Sequence, residues 1–412
     1  MPLQMWRDLT PLSKPLRTPQ NDSRHILIIG GGVTGLTTAW VLLDRGFRVT
    51  VLSKQWASLA GDHITSQIAG ALWEYPPAVC GQHEGKVSLE KSKKWSMVSY
   101  HCYAALADEV ASGVRMRPAR FYFPERIEND PVQQRKMEEI VASGVRGFKR
   151  LGSGPFKEDL ISSNQKIEDC YEHDAPLIDS DQGMLWLMKL VQDKGAKLET
   201  KHVRSALLEQ EDELLAAYNA DIIVNATGLG AEELAADPSC YPVRGALLRV
   251  VNDGISFPAI KTAHTVSADV SGASNEIIFI VPRNDHTLLL GGIAEDRVGD
   301  TDLTLESDVI QDIQKRCGQF MPCLSKARLH PSYPLAIGLR PFRHGNVRVE
   351  RETRPKADGK SSRIVHSYGQ GGAGWTLAFG CAADVVQLVD GVLADDCEPP
   401  RRGAGLAVRS KL

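Results

Sequence analysis

Residues 25–54 read HILIIGGGVTGLTTAWVLLDRGFRVTVLSK, and the pattern changes character twice along that stretch. "HILII" is a short β-rich run, "GGGVTG" a glycine turn, "LTTAWVLLDRG" a helical pattern and "FRVTVLS" a second strand. Gly30, Gly32 and Gly35 give the G-x-G-x-x-G spacing directly after the first strand. In such a turn the first glycine makes the bend, the second admits a pyrophosphate and the third lets the helix lie close to the strand. The helix amino terminus, with Val33 and Thr34, offers unpaired N–H groups and the positive end of a dipole to phosphate. A Rossmann-like dinucleotide site follows. One expected part is missing, because an acidic side chain at the end of the second strand normally holds the ribose. Ser53, Lys54 and Gln55 stand there instead. Lys54 leaves two readings open: a 2′-phosphate partner, hence NADP, or a ribose contact made by another route.

With 412 residues the chain has room for two domains and a large core. Hydrophobic and charged shares of 42% and 24% are those of an ordinary soluble globular protein. A net charge of −3 gives no electrostatic reason to expect a nucleic-acid partner. The eight cysteines form no C-x-x-C pair, so no zinc ribbon, redox motif or other metal site is indicated, and a reducing compartment is the simpler expectation. Residues 1–24 carry charges and prolines and show no secretory signal. Ile26 to Leu43 is uncharged and long enough to suggest a membrane span. Its four glycines and its switch from strand to helix periodicity argue against one. The final Ser410-Lys411-Leu412 matches a peroxisomal address read by an import receptor, and the flanking "RRGAGLAVR" is expected to be flexible.

Further along, "HITSQIAGALWEYPP" (63–77) is a polar turn leading into small residues. Thr65 and Ser66 suit phosphate contacts, and the small residues around Gly70 and Ala71 allow backbone to approach a planar ring; a plain loop is the competing reading. The stretch from about 80 to 175 is irregular apart from a helix-like 132–150, and "KSKKW" (91–95) reads as a solvated helix face. "DQGMLWLMKLVQDKGAKLET" (181–200) is helix, turn and strand, and "DIIVNATGLGAEEL" (221–234) is a buried strand running into another glycine turn. "IIFIVPRNDHTLLLGGI" (277–293) reads as two strands joined at Asn284-Asp285, and "GLRPFRHGNVRVERE" (338–352) places Arg340 and Arg343 before an alternating strand. A late glycine turn, "YGQGGAGWT" (368–376), is followed by one helix and no second strand–turn–helix unit. It is expected to form the far wall of the first site, with Gly371, Ala373, Gly374 and Trp375 letting backbone and a helix start approach the ligand. No internal repeat stands out. The α/β pattern comes in three pieces, which implies a discontinuous nucleotide-binding domain over 25–80, 175–240 and 335–396. The intervening 81–174 and 241–334 would form a second, substrate-binding domain. An extended segment (1–24) and a flexible tail (397–412) complete the chain.

Four of these motifs, "HILIIGGGVTGL", "ITSQIAGALWE", "DIIVNATGLGA" and "GLRPFR…VRVERE…IVHSYGQGGAGWT", together resemble the FAD-dependent D-amino acid oxidase and D-aspartate oxidase family, in the family's order and over nearly all the chain after residue 24. The resemblance implies an α/β, mixed α+β architecture: a Rossmann-like FAD-binding domain with an interleaved mixed-sheet substrate domain. It implies that Arg340 holds the substrate carboxylate, for which a planar guanidinium is suited because it donates two parallel hydrogen bonds. Gly372 matches a backbone acceptor for the substrate amine and Thr376 a flavin-ring contact. Thr65 and Ser66 match FAD phosphate contacts, Gly70, Ala71 and Leu72 backbone beside the flavin ring, and Val203 an adenine contact. Ala226 and Gly228 belong to the third cofactor-lining motif.

The departures matter as well. Phe279 stands where the family usually has a tyrosine that shares the carboxylate, so either the load shifts to Arg340 or another hydroxyl enters from the lid. Glu74 replaces a common glutamine, and a buried carboxylate there needs a partner, with Arg343 the expected one. Ala294 and Glu295 occupy the place where D-aspartate oxidases carry an arginine, which argues against dicarboxylic substrates. The implied reaction oxidises a D-amino acid, neutral or basic rather than acidic, by hydride transfer to flavin N5, giving a 2-oxo acid, ammonia and H₂O₂ from O₂ and water. The competing readings are a flavin oxidase of secondary amines, similar to sarcosine or glycine oxidases, an NADP-dependent dehydrogenase suggested by Lys54 alone, and a nucleotide-binding protein without chemistry. The partners implied are an amino-acid substrate, O₂, the import receptor and, left open, a second copy of the chain.

Overall fold

The computed structural model describes residues 5–77, 85–153, 160–266, 277–356 and 358–397. Ser410-Lys411-Leu412 and part of the 254–276 segment lie outside them. In chain order the elements are β1 (His25–Ile29), α1 (Val33–Asp44), β2 (Arg48–Ser53), α2 (Thr65–Ile68), α3 (Lys86–Leu106), β3 (Val114–Phe123), α4 (Pro131–Ser143), β4 (Lys149–Arg150) and β5 (Asp169–Ile178). Then come α5 (Ser180–Asp193), β6 (Lys197–Thr200), α6 (Glu211–Tyr218), β7 (Ile222–Asn225), α7 (Ala231–Leu234), β8 (Cys240–Val251), β9 (Ala263–Val266), β10 (Ile278–Pro282) and β11 (Thr287–Gly291). The chain closes with β12 (Glu295–Asp296), α8 (Asp308–Phe320), β13 (Leu335–Arg343), β14 (Arg348–Arg351), β15 (Ile364–Tyr368) and α9 (Gly374–Cys397).

The first sheet runs β14-β15-β7-β1-β2-β6 among the described residues, parallel except for the antiparallel edge strand β14. β1 lies between β7 and β2 and is apolar at every position after His25, as a strand covered on both faces must be. The uncharged stretch 26–43 is therefore most of β1, the turn and all of α1 but its last residue. Trp40 of α1 is buried edge-on against Trp186 and Phe379, each at 5.5 Å between ring centroids, so α1, α5 and α9 share one core. Burial of each such side chain contributes about 1.5–3 kcal/mol. α9 is long and apolar enough to cross a membrane by composition, but it packs against α1 and α3 and is mostly buried within the protein. A Cβ at Gly380 would sit 2.2 Å from Trp95 Cα, so only glycine permits that approach of α9 to α3.

The second sheet follows the order β12-β8-β11-β10-β9-β3-β5-β4, with β13 also paired to β8. β13 pairs with β8 over its whole length, Leu335 opposite Leu248 through Arg343 opposite Cys240. This changes two expectations. Arg340 and Arg343 lie inside a strand rather than before one, and residues 335–343, grouped above with the nucleotide-binding segments, are hydrogen bonded into the other sheet. Pro341 and Pro242 obscured the strand pattern, yet they face each other at a pair where neither N–H is required. α3, assigned above to the second domain, packs on α9 instead. "KSKKW" also differs from a solvated face. Lys93 is buried and donates to Glu90 and Glu139, both at 2.9 Å, while Trp95 is buried beside α9.

The segment before β1 is strapped onto the first unit. Asp44, fully buried at the end of α1, accepts from Thr10 N (2.9 Å), Leu16 N (3.1 Å), Trp40 Nε1 (2.8 Å) and Lys194 Nζ (2.7 Å).

Candidate active site

The first glycine turn is built as its spacing demands. Gly30 has φ +120°, and a Cβ there would lie 2.2 Å from the Ala226 carbonyl oxygen; a Cβ at Gly35 would lie 1.9 Å from the Gly30 carbonyl oxygen. Both residues pull α1 tight against β1 and β7. Gly32 is the N-cap of α1 and provides no side-chain cap, so the N–H groups of Thr34 and Gly35 have no acceptor within their own helix. The Val33 N–H is taken by Ser66 Oγ at 3.0 Å. At the third motif, Asn225 Oδ1 accepts from the Thr227 hydroxyl at 2.7 Å, and Gly228 turns with φ +57° against Pro341.

Four residues of α2 bring the turns together. The Ser66 carbonyl accepts from Trp375 Nε1 at 2.9 Å, and a Cβ at Gly374 would lie 3.6 Å from Val33 Cγ1. The two glycine turns are thus brought side by side across α2. Gly371 has φ +56°, Gly372 is exposed, Ala373 and Gly374 are half-buried, and Trp375 and Thr376 are buried at the start of α9. Thr65 is exposed and its hydroxyl donates to Leu339 O at 3.3 Å. Ala71 adopts φ +47°, its carbonyl accepts from Ile178 N at 3.1 Å, and Leu72 bridges to Leu177, which fixes the segment leaving α2. Val203 is buried with Leu52 and Ile29 beyond the end of β2.

The second sheet presents its face to that segment. Directly opposed strand residues share a face and alternate residues return to it. Arg340, Gly338, Gly245, Leu247, Gly291 and Phe279 therefore line one surface. A Cβ at Gly70 would be 2.6 Å from Phe279 Cζ, and a Cβ at Gly338 would be 3.0 Å from Ile68 Cγ2. The α2 segment is clamped between the sheets. The half-buried Arg340 guanidinium donates to the carbonyls of Ile293 (3.0 Å) and Arg244 (3.3 Å) and lies over Gly245, where a Cβ would be 2.4 Å from Nη1. Among the described residues it pairs with no carboxylate.

Glu74 corrects an expectation. Its partner is Lys136 of α4 at 2.6 Å, which also donates to Pro77 O at 2.8 Å. Arg343 turns away to Asp237 at 2.8 Å. Burial alone would raise Asp237, but hydrogen bonds from Arg343 and Tyr368 outweigh it and bring the carboxyl to about 2. Ser53 directs its hydroxyl to Gln55 O at 2.6 Å, and Lys54 is exposed.

Sequence reasoning missed a buried clamp beneath α2. Arg283, directly after β10, donates through Nη2 to the Gln67 carbonyl at 2.8 Å and through Nε to Asp179 at 3.2 Å. Ser180 Oγ donates to the same carbonyl at 2.7 Å. Arg249 reaches Asp181 at 2.8 Å, with its guanidinium 4.5 Å from the Tyr333 ring. His63, next to this cluster, is lowered by burial; Asp181 opposes the shift, and Arg249 and Arg283 add to it. Only an arginine directly after an apolar strand hinted at the clamp, since its acidic partners lie about a hundred residues away.

Glycines that exclude a Cβ at the turn, open N–H groups at the start of α1 and a second backbone turn closing on the same α2 segment fit an extended flavin dinucleotide. Among the described residues, no group of three or more His, Cys, Asp or Glu is placed to hold a metal ion. Residues 25–388 match the family described as FAD dependent oxidoreductase. A D-amino-acid oxidase of Streptomyces coelicolor is 32% identical over 376 residues, covering 90% of this chain and 99% of that protein. A D-amino-acid oxidase of Rubrobacter xylanophilus is 28% identical over 368 residues, covering 89% and 96%. Among solved structures, glycine oxidase from Bacillus cereus shares the fold with a TM-score of 0.67 and 16% identity, covering 90% of this chain and 95% of that one. With its glycine turns, its clamped α2 segment and this match along nearly its whole length, the chain belongs to the FAD-dependent oxidoreductase family and takes FAD as its cofactor.

Proposed function

We propose that the protein is an oxidase of D-amino acids, with neutral or basic side chains preferred over acidic ones. The observation that carries this reading is Arg340. Its guanidinium is fixed by two carbonyls and, among the described residues, pairs with no acid, on the sheet face that meets the Gly70–Leu72 segment. A guanidinium so placed takes a carboxylate in one orientation, and FAD, when bound, supplies the hydride acceptor and passes electrons to O₂. The chain's own work is positional. Arg340 fixes the carboxylate, the exposed turn at Gly372 offers backbone to the amine, and Phe279 and Leu247 set an apolar wall. Three such anchors present one face of Cα, which supports selection by chirality. Ala294 and Glu295 add no cation for a second carboxylate, and Glu295 is engaged by Arg244 at 2.7 Å.

Phe279 favours a second reading, a secondary-amine oxidase, because it removes a hydroxyl from the carboxylate side. An oxygen-electrode panel of D-amino acids, L-enantiomers, sarcosine and glycine separates the two. Oxygen uptake with D-alanine or D-lysine and none with the L-forms is expected. Uptake confined to sarcosine and glycine would overturn the proposal.

A further inference from the structure

We propose that Trp56 forms the platform for the adenosine end of FAD, taking the place of the acidic ribose contact that the end of β2 lacks. The loop after β2 places its indole across the carboxyl end of that strand. Cε3 and Cζ3 lie against Gly31, where a Cβ would be 2.8 and 2.6 Å from them. The opposite edge donates from Nε1 to Thr200 Oγ1, at the end of β6, at 3.0 Å. The ring thus spans from the glycine turn to the neighbouring strand end, over the position where a dinucleotide's ribose and adenine lie in this topology.

Gly31 is the variable position of G-x-G-x-x-G, and its φ is not in the left-handed region, so its backbone would accept a side chain. What excludes a Cβ is the indole, together with Ser53 Cβ at 2.8 Å. A glycine there makes sense as a seat for Trp56. The loop that carries the ring is held in advance. Gln55 Nε2 donates to Asp62 O at 3.0 Å, and the buried Gln67 side chain exchanges two hydrogen bonds with the Ser58 backbone, at 3.0 and 3.2 Å. Neither other candidate at the strand end competes, because Lys54 is exposed and the Ser53 hydroxyl is turned to its own loop. The indole is only half-buried in the protein, which leaves an aromatic surface beside the phosphate-binding turn. Stacking of a base on such a ring is worth about 1–3 kcal/mol, hence about fivefold to somewhat over a hundredfold in affinity.

The inference rests on FAD as cofactor and not on the substrate assigned above, and its test requires no turnover. Holoprotein is reconstituted with FAD and with 1,N6-etheno-adenine FAD, whose base fluorescence is quenched by stacking on indole. Wild type, Trp56→Ala, Trp56→Phe and Gly31→Ala are compared for flavin dissociation constant and etheno-adenine emission, with circular dichroism confirming folded protein. Trp56→Ala is expected to weaken FAD about tenfold and restore the emission. Trp56→Phe should fall between, and Gly31→Ala, which displaces the ring without removing it, should resemble Trp56→Ala. If Trp56→Phe and Gly31→Ala fold and keep wild-type affinity and quenching, the proposal is wrong, whether or not Trp56→Ala is stable.

Discussion

Trp375 Nε1 donates to the Ser66 carbonyl at 2.9 Å, while Ser66 Oγ accepts the Val33 N–H at 3.0 Å. One residue of a four-residue helix thereby couples two glycine turns more than three hundred positions apart. Trp375→Phe keeps most of the buried ring and removes only the donor, leaving the Ser66 carbonyl short of a partner. The loss is about 1 kcal/mol for such a bond, or about fivefold in an equilibrium constant. Flavin release from diluted holoenzyme, followed by fluorescence, should show a dissociation constant raised about fivefold. An unchanged constant would mean that the turns hold their places without this link.

Arg340 carries the carboxylate assignment, so its removal should act on substrate capture first. Two charge-assisted hydrogen bonds are lost, together about 3 kcal/mol. Arg340→Leu is expected to raise KM for the best D-amino acid about 100-fold, with flavin content unchanged. Arg340→Lys keeps the charge but loses the planar fork and should lie between. Wild-type KM in Arg340→Leu would remove the residue from the substrate site.

Much of this site was legible in local sequence because its parts are made locally. β1, the turn and α1 announce themselves through a change of period and through glycines that the backbone itself requires, and both ends of the late turn could be read the same way. What was not legible depends on partners brought in by packing. Glu74 finds Lys136, 62 positions later, because α4 rather than β13 covers that loop. Gly31 looks like a free position until the Trp56 ring is laid over it. Among the described residues the Arg283 side chain has no partner nearby in sequence; its acids, Asp179 and Asp181, stand at the start of α5. The strand holding Arg340 was misread because prolines and glycines hide its alternation, while its long register with β8 is a property of the sheet.

Asp44 and Lys194 form a pair with no exposed side-chain surface, and the same carboxylate holds residues 10 and 16. Removing one member of a buried pair strands the other charge, at a cost of about 3–5 kcal/mol. Asp44→Ala should lower denaturant stability by that amount and open the Arg17–Thr18 bond to trypsin. Asp44→Asn with Lys194→Met removes both charges and should recover part of the loss. Trypsin resistance at Arg17 in Asp44→Ala would show that the strap is held elsewhere.

His173 is buried among aromatic rings, stacked on Phe121 at 5.1 Å with planes 21° apart, and burial lowers its pKa from 6.5 to about 4. His264, hydrogen bonded to the Tyr122 hydroxyl at 2.8 Å, is lowered to about 3 by burial, with Arg120 adding to the shift. For a base with a depressed folded pKa, the unfolded chain takes up the proton first as the pH falls. The His173 contribution is therefore constant above about pH 6.5, declines between 6.5 and 4, and levels off below. Within that window each such histidine removes about 1.4 kcal/mol per pH unit. Urea unfolding at pH 7.5, 6, 5 and 4 should show the decline, and His173→Phe, which preserves the stacking and cannot titrate, should flatten it by about one proton's worth. Parallel pH dependences for wild type and His173→Phe would show that His173 is not kept neutral in the folded protein.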